Sequence, residues 1–544
     1  MESIPGFLSN QVLFVTGATG FVGKAVVVQA LRHVPDIACI YIPVRERKLK
    51  SGGIHSAEKR LGQFFQSSAF DVLRKEWGEA FDGRVRDKVK AVPWKGLEYE
   101  DLGLDPDDRR RLQEEVDIVI SSAANVVFDA PVDTALRQNT IGQGRVLEFA
   151  KGCRDASFVH VSTAYVNGQM TGVIPEDLIP QDKSIAQLLP NGSPPPYSLE
   201  EQIEEIEAFS SRVREEAETS SKQADFETQL SRQNRGKRVT DHRLKHQRDA
   251  LKERWIKGRL VREGLRRGRE HGWNDAYTMT KAMGEQLIQK NRGSMPVAIV
   301  RPSIIESSLH DPEPGWLEGL KVADPLIAHF SKGRLLDFPA DPQVVLDVIP
   351  VDIVANAILS VIPRIRKDDT IQVYHVGTGA KNPIRVREIF EYVYDYYRTN
   401  PVIGRDGKPI NVKRLRFPTS ERFRTWCRFR YQIPMAITRW VLDRWPESSR
   451  TNRLLRKISR GEVTLERVLA LSEIYAPYAF LDCRFDTQNL VRAFEEMHPD
   501  DQKRFSTDVM RIEWRSYVQK IHIPGLHRHV LKSELATSND SPAA

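Results

Sequence analysis

The chain has 544 residues, which favours two domains over one, and its 40% hydrophobic and 28% charged residues are typical of a globular protein. The net charge of +8 does not indicate a nucleic-acid-binding protein, because residues 231–270 hold 15 Lys/Arg and 5 Asp/Glu and the remainder is slightly acidic. No apolar run reaches membrane-spanning length and the four cysteines lie far apart. We therefore predict no transmembrane helix, no bound metal and a cytoplasmic location.

The first predicted elements are a strand, a glycine-rich turn and a helix within residues 12–30. Val12 to Val15 is a short apolar run, and Gly17, Gly20 and Gly23 follow at the spacing G-x-x-G-x-x-G before an apolar helical pattern. Such a unit holds the diphosphate of a dinucleotide at the helix N-terminus. A glycine-rich turn without a ligand is the alternative.

The second predicted strand, residues 38–45, ends at Arg45, with Arg47 close behind and only Glu46 opposing them. At this place an acidic residue binds the ribose 2′-hydroxyl of NAD, whereas an arginine accommodates the 2′-phosphate of NADP. The sequence therefore favours NADP. The alternative is a solvated basic loop.

Two further buried strands, residues 116–120 and 158–161, end in small or hydroxyl-bearing residues. The first is followed by residues 121–124 and the second by Ser162 and Thr163. Open α/β sheets bind ligands at the carboxyl ends of their strands, so we place the reactive part of the site here.

Residues 196–270 interrupt the alternation of strands and helices. Their first half is rich in glutamate, and their second half carries the basic charge noted above. We predict a helical hairpin whose arms pair by charge. The alternative is a basic docking face for coenzyme A, an acyl carrier protein or an anionic membrane.

Tyr277 and Lys281 lie four residues apart on a predicted helix and therefore share one face. An ammonium group near the phenol would lower the pKa of the tyrosine from about 10 and make it a useful proton donor. The pair is a weak signal by itself. The pair becomes a much stronger signal for catalysis because a nucleotide-binding turn and a hydroxyl at a strand end precede it in the same chain.

The remaining sequence predicts the end of a doubly wound parallel sheet and then a mainly helical region. We place a first domain at residues 1–384, a helical second domain at 385–530 and a disordered tail at 531–544. Strands are predicted at 297–303 and 372–376. Helical segments follow at 384–397, 419–445, 452–475 and 487–520.

Residues 422–445 alternate arginines with large aromatic and aliphatic side chains. Such a stretch suits an element lying on an anionic membrane surface, with rings at the headgroup level and guanidinium groups on the lipid phosphates. The alternative is that the aromatic residues form the core of the second domain or line an acyl tunnel.

Together these motifs resemble the extended short-chain dehydrogenases/reductases and, within them, the male-sterility-type fatty acyl-CoA reductase family. The resemblance covers roughly residues 10–527. Its matching stretches are Thr16–Gly23, His160–Gly168, Gly272–Lys281, Ile299–Ile304, Asp347–Asp352, Ala476–Tyr478, Phe485–Asn489 and Ile512–Tyr517.

The resemblance implies a catalytic set of Thr163, Tyr277 and Lys281, with Ser162 as a second candidate hydroxyl and Asn139 as a member of a proton relay. It also implies further contacts to NADPH. The three glycines, the two arginines, Tyr277 and Lys281 are among the contacts to the cofactor. The additional ones are Thr16, Thr19, Phe21, Val22, Ala123 and Pro302. One position departs from the family pattern, since Leu97 stands after Gly96 where an acidic residue is usual.

The expected activity is NADPH-dependent reduction of a long-chain acyl-CoA to an alcohol through an aldehyde, with release of coenzyme A. One rival enzyme stops at the aldehyde, and another uses a carrier-protein thioester. A sugar-nucleotide epimerase or dehydrogenase shares the glycine turn and the Tyr277–Lys281 pair, but it leaves the helical region unexplained. An NADP sensor without catalysis would not need that pair. The sequence does not determine the chain-length preference or the oligomeric state.

Overall fold

The computed structural model describes residues 3–48, 53–190, 194–234, 239–321, 323–365, 370–404, 406–442, 444–445 and 448–532. Among these residues no helix combines the length and the apolar character that crossing a bilayer requires. The tail predicted to be disordered lies outside the described residues from position 533 onward.

Thirteen strands are described. They are β1 (Val12–Thr16), β2 (Cys39–Val44), β3 (Arg47–Lys48), β4 (Ile54–His55), β5 (Val89–Pro93), β6 (Ile118–Ser121), β7 (Ser157–Val161), β8 (Gly172–Ile174), β9 (Val297–Pro302), β10 (Ile304–Glu306), β11 (Val348–Pro350), β12 (Gln372–Val376) and β13 (Cys483–Phe485). Seven of them form one parallel sheet in the order β12-β9-β7-β6-β1-β2-β5. The chain reverses direction across the sheet between β1 and β6, and such a switch point opens a crevice at the carboxyl ends of the strands.

Helices cover both faces of the sheet, which explains why its strands are apolar on both sides. The first twelve are α1 (Ile4–Leu8), α2 (Phe21–His33), α3 (Ala57–Phe65), α4 (Asp71–Trp77), α5 (Phe81–Lys88), α6 (Pro106–Glu115), α7 (Val132–Leu136), α8 (Gly142–Lys151), α9 (Ile185–Leu188), α10 (Leu199–Glu218), α11 (Ser220–Gln233) and α12 (Asp241–Glu270). The others are α13 (Ala276–Asn291), α14 (Asp324–Ser331), α15 (Val351–Val361), α16 (Val386–Thr399), α17 (Ser420–Cys427), α18 (Ile433–Leu442), α19 (Ser449–Ala479), α20 (Gln488–Glu495), α21 (Pro499–Arg504), α22 (Trp514–Ser516) and α23 (Ile523–Leu526).

The charged insertion forms the predicted hairpin, with α10 and α11 as its acidic arm and α12 as its basic arm. Ion pairs join the arms: Lys252 Nζ lies 2.9 Å from Glu218, and Arg259 Nη1 lies 3.2 Å from Glu216. Arg267 is largely buried and lies 2.6 Å from Glu205. Since these cations of α12 pair with carboxylates of the other arm, the structure supports the hairpin interpretation.

The C-terminal region packs on the same hydrophobic core as the parallel sheet. Buried side chains such as Phe485 and Leu526 belong to one cluster with Leu13 of β1. The domain boundary at residue 384 therefore stays a prediction. The continuous helix predicted over residues 487–520 is wrong: the segment breaks into α20, α21 and α22, in part because Pro499 forces an extended backbone on His498.

Candidate active site

The glycine turn after β1 has the geometry of a dinucleotide site. Gly17 has a φ of +73°, and a Cβ there would lie 2.6 Å from the backbone nitrogen of Ala123. A Cβ on Gly23 would lie 2.3 Å from the Gly17 carbonyl oxygen, so helix α2 packs closely on the turn. In the described part of the chain no side chain caps the start of α2 after Gly20. Its first N–H groups are therefore available to bind an anionic group.

A cavity of about 780 Å³ runs along the carboxyl ends of the strands. It is large enough for a nucleotide cofactor together with part of a substrate. Thirteen of the residues predicted from the sequence line it: Gly17, Thr19, Gly20, Phe21, Val22, Gly23, Arg45, Ala123, Ser162, Thr163, Tyr277, Lys281 and Pro302.

One end of the cavity is cationic. Arg45 lies there, with its Nη2 atom 3.1 Å from Glu98 and its guanidinium carbon 6.0 Å from the ring centroid of Trp94. Arg60, which sequence reasoning missed, also lines the cavity and donates a hydrogen bond to the backbone oxygen of Arg45. Arg47 is exposed on β3 and does not line the cavity.

The segment that departs from the family pattern, residues 96–98, contacts Arg45. Gly96 has a φ of +133°, a backbone conformation that strains any other residue, and a Cβ there would lie 2.7 Å from Nη2 of Arg45 and displace the guanidinium. Leu97 is buried in the core, while Glu98 supplies the carboxylate one position later.

Three hydroxyl groups meet in the middle of the cavity. Thr163 follows β7, and its Oγ1 lies 3.4 Å from the carbonyl oxygen of Pro302. The side chain of Thr163 lowers the pKa of the Tyr277 phenol on α13, so the two groups lie close together. The Ser162 hydroxyl is buried beside them and has no hydrogen-bond partner among the described residues. These groups are positioned to bind a carbonyl or an oxyanion.

Lys281 lies one turn after Tyr277, and its ammonium donates a hydrogen bond to the carbonyl oxygen of Val161 at 2.8 Å. Burial lowers the pKa of Lys281 to about 8. The prediction that Lys281 lowers the pKa of Tyr277 is wrong for this structure. Burial raises the pKa of Tyr277, the side chain of Thr163 opposes that rise, and Lys281 makes no resolved contribution.

Two predicted residues lie behind the cavity wall rather than in it. Thr16 is buried, and its hydroxyl accepts hydrogen bonds from the backbone N–H groups of Ser122 and Ala123, at 3.2 Å each. Asn139 is also buried, and its amide bonds the backbone of Asn125 and, at 3.2 Å, the hydroxyl of Thr280 on α13. Both residues fix loops that line the site.

The C-terminal helix α19 reaches the active-site helix, a contact that sequence reasoning missed. Tyr478 donates a hydrogen bond of 2.5 Å to Asp275, the buried residue that caps the start of α13. Ile474 and Tyr475 line the cavity on the same side. The two residues joined by the hydrogen bond are 203 positions apart in the sequence, so no local pattern could reveal it.

A second cation, Lys321, lines the cavity near the glycine turn and was also missed. Its ammonium lies 4.1 Å from the ring centroid of Phe21, the first residue of α2. Burial lowers the pKa of Lys321, while Glu306 and Asp324 oppose that change.

A buried group of three side chains lies beside this wall. His522 Nε2 is 3.1 Å from Asp324 and 4.0 Å from Glu306. The atoms are close enough to hold a metal ion, which the sequence did not predict. Burial opposes the charge on His522, but Asp324 and Glu306 raise its pKa. Burial and Asp324 raise the pKa of Glu306 to about 8.

Comparison with known proteins agrees with this geometry. The NAD-binding domain of the male sterility protein family matches residues 15–358, and a second domain described as male sterility protein matches residues 436–533. A relative named fatty acyl-CoA reductase 2, chloroplastic, from Arabidopsis thaliana is 33% identical over 97% of this chain and 80% of its own length. The chain belongs to the fatty acyl-CoA reductase family.

Another member of the fatty acyl-CoA reductase family, named alcohol-forming fatty acyl-CoA reductase, comes from Simmondsia chinensis. It is 30% identical over 98% of this chain and 99% of its own length. The sequence prediction of this family is therefore confirmed. The chain is an oxidoreductase with an NAD-binding domain.

Solved structures give the same fold at low sequence identity. The terminal R domain of the myxalamid PKS-NRPS pathway aligns with a TM-score of 0.54 at 16% identity, covering 96% of this chain and 91% of that domain. The reductase domain of a nonribosomal peptide synthetase from Mycobacterium tuberculosis has a TM-score of 0.52 at 18% identity, covering 95% and 92%. The predicted Rossmann-type sheet is confirmed.

Proposed function

We propose that this reductase converts a long-chain acyl-CoA to the fatty alcohol, using two NADPH and two protons and releasing coenzyme A. The observation that carries the proposal is the meeting of Thr163, Tyr277 and Lys281 in the cavity that also contains the glycine turn. The names of the relatives from Arabidopsis thaliana and Simmondsia chinensis support an acyl-CoA substrate and an alcohol product.

The choice of NADPH over NADH rests on the cationic end of the cavity. Arg45 and Arg60 would hold the 2′-phosphate, and the start of α2 with Lys321 would hold the diphosphate. Tyr277 and Lys281 would contact the nicotinamide end. The bound cofactor supplies hydride, which the protein itself cannot provide.

The side chains of the protein stabilise negative charge on the substrate and donate a proton to it. The hydroxyls of Thr163 and Tyr277 donate hydrogen bonds to the thioester carbonyl oxygen as it gains negative charge. Collapse of the resulting hemithioacetal breaks the carbon–sulfur bond and expels the thiolate of coenzyme A. In the second reduction Tyr277 gives its proton to the aldehyde oxygen. Lys281 would bind the ribose of the nicotinamide, as the family resemblance implies.

The acyl chain has an apolar route into the site. Val126, Val127 and Leu320 line the cavity while about half or more of each side chain remains exposed, which marks an open apolar mouth. Ile305 and Ile474 continue the apolar lining inward. A sugar nucleotide would instead need polar partners along this wall. The long-chain thioester is therefore our preferred substrate.

A substrate panel tests this proposal. Purified protein is incubated with NADPH or NADH and with palmitoyl-CoA, palmitoyl carrier protein or a UDP-sugar, and the products are identified by mass spectrometry. We expect turnover with palmitoyl-CoA and a preference for NADPH. Turnover of the UDP-sugar alone would refute the proposal. Turnover of palmitoyl carrier protein but not of palmitoyl-CoA would show that the substrate is a carrier-protein thioester and not an acyl-CoA.

The cytoplasmic location remains a proposal. The four cysteines are all free and buried, as a reducing compartment allows. Fluorescent tagging of the full chain at its C-terminus tests the location, and a signal confined to an organelle lumen would contradict it.

A further inference from the structure

A group of aromatic and aliphatic side chains is exposed on the helices that follow residue 419. Phe429 is 66% exposed, Trp440 58% and Trp445 65%. By contrast, Phe423 and Cys427 on the neighbouring α17 are buried and hold that helix to the protein. The core interpretation of residues 422–445 therefore fails for most of the large side chains.

We call this surface the aromatic face. Its members are large apolar side chains with at least 37% exposure, and they are Trp426, Phe429, Tyr431, Ile437, Trp440, Val441, Trp445, Leu454 and Val463. Monomeric proteins rarely expose so many such side chains close together, and contiguous patches of this kind mark sites of interaction.

The aromatic face is also strongly basic. Residues 420–463 contain eleven Lys/Arg and four Asp/Glu. Arg428 and Arg430 are exposed beside Phe429, and the guanidinium of Arg444 lies 4.1 Å from the ring centroid of Trp440. This mixture of rings and guanidinium groups fits the boundary between lipid headgroups and acyl chains.

Helix α18 is held in place beside α19. Arg439 of α18 pairs with Glu462 of α19, and a Cβ on Gly461 would lie 3.1 Å from the sulfur of Met435. This side of α18 is therefore engaged by the protein, while Ile437 and Trp440 remain outward. Among the described residues, Trp440 contacts the guanidinium of Arg444 and Trp426 contacts the ring of Tyr431, and all of these rings remain exposed.

Helix α19 connects the aromatic face to the active site. Leu454 belongs to the face, whereas Ile474, Tyr475 and Tyr478 near the other end of the same helix line the cavity. At 1.5 Å per residue, Leu454 and Tyr478 are about 36 Å apart along the helix. If the aromatic face binds a membrane, the same helix that contacts the lipid also lines the active-site cavity.

We propose that the aromatic face binds the surface of an anionic bilayer peripherally and reversibly. Guanidinium groups attract the anionic headgroups, and the exposed rings enter the interface. The binding itself does not depend on the proposed function. Its role in delivering a poorly water-soluble alcohol to the membrane rests on that function.

The first test is sedimentation of the full chain with vesicles, without substrate. One set contains phosphatidylcholine and the other phosphatidylcholine with phosphatidylserine, at about 50 mM and about 500 mM salt. We expect binding to the anionic vesicles at low salt and a loss of at least about tenfold at high salt. Absence of binding at low salt, or binding indifferent to salt, overturns the proposal.

Variants separate the face from the rest of the surface. The double variant Trp440→Ala/Trp445→Ala should weaken vesicle binding by about tenfold or more, because it removes two rings from the interface. The matched control is Tyr99→Ala, which removes an exposed aromatic side chain elsewhere and should bind like the wild type. Equal binding by both variants overturns the assignment of the face.

Two further measurements test whether the double variant folds and whether the aromatic face binds protein instead of lipid. NADPH titration should give unchanged affinity in the double variant, which shows that it folds. Analytical ultracentrifugation without vesicles tests a protein partner instead. Self-association that the double variant abolishes, together with no vesicle binding, would show that the face joins two copies of this chain and would overturn the membrane proposal.

Discussion

Replacing Lys281 with methionine should stabilise the protein while inactivating it. The buried ammonium of Lys281 has a pKa of about 8, compared with 10.5 for an ordinary lysine. This difference corresponds to about 3 kcal/mol of unfolding free energy lost at pH 7. The hydrogen bond to Val161 returns about 1 kcal/mol. We therefore expect Lys281→Met to be more stable than the wild type by about 2 kcal/mol at pH 7.

The pH dependence follows from the same difference in pKa. Between about pH 8 and pH 10.5 the unfolded chain holds a proton on Lys281 that the folded chain has lost, so the stability of the wild type rises with pH in this window. The stability of Lys281→Met does not rise in this way, because the variant has no ammonium at this position. The gap in melting temperature between variant and wild type should therefore narrow as the pH increases from 8 towards 10.

Differential scanning fluorimetry from pH 7 to pH 10 measures both effects, and turnover of palmitoyl-CoA is recorded alongside. Lys290→Met is the control, because Lys290 is exposed on the same helix and pairs with Glu200 at the surface. A lower melting temperature for Lys281→Met at pH 7, with a gap that stays constant over pH, would refute the argument from burial.

Three other variants test separate parts of the site. Tyr277→Phe should lower turnover by about two to four orders of magnitude with intact NADPH binding, and near-normal turnover would exclude Tyr277 as the proton donor. Arg45→Ala should raise the KM for NADPH more than tenfold by removing a charge-assisted bond of about 1.5–3 kcal/mol, whereas Arg47→Ala should not. Tyr478→Phe should lower the melting temperature and turnover by removing the hydrogen bond to Oδ2 of the buried Asp275, and an unchanged pH–rate profile and melting temperature would contradict this.

Local patterns in the sequence predict most of the sheet and the glycine turn. The spacing of Gly17, Gly20 and Gly23 is a strong signal because close backbone contacts require glycine at two of these positions. The pair of Tyr277 and Lys281 is also local, since both lie on one helix. These features depend on neighbours within a few residues and can therefore be inferred from a single sequence.

Contacts between distant segments could not be predicted in this way. The bond from Tyr478 to Asp275 and the cluster around His522 join elements that are far apart in the chain. The pKa of Tyr277 was predicted in the wrong direction because spacing gives proximity to Lys281 but not the burial that dominates.

The aromatic residues of 422–445 show a different limit. A helical run of large apolar side chains has the same pattern whether it faces a core or a membrane, so periodicity does not distinguish the two. Their exposure depends on how α18 packs on α19, which is a tertiary property. Among the described residues of this stretch, Phe423 is the one buried aromatic residue.

The ratio of NADPH oxidised to coenzyme A released tests the central claim most directly. It is measured during turnover of palmitoyl-CoA, with absorbance reporting NADPH and a thiol reagent reporting coenzyme A. The account predicts a ratio of two, with hexadecanol as the accumulating product and a rate about two to four orders of magnitude lower for Tyr277→Phe. A ratio of one with accumulation of the aldehyde, or NADPH oxidation without release of the thiol, would contradict it.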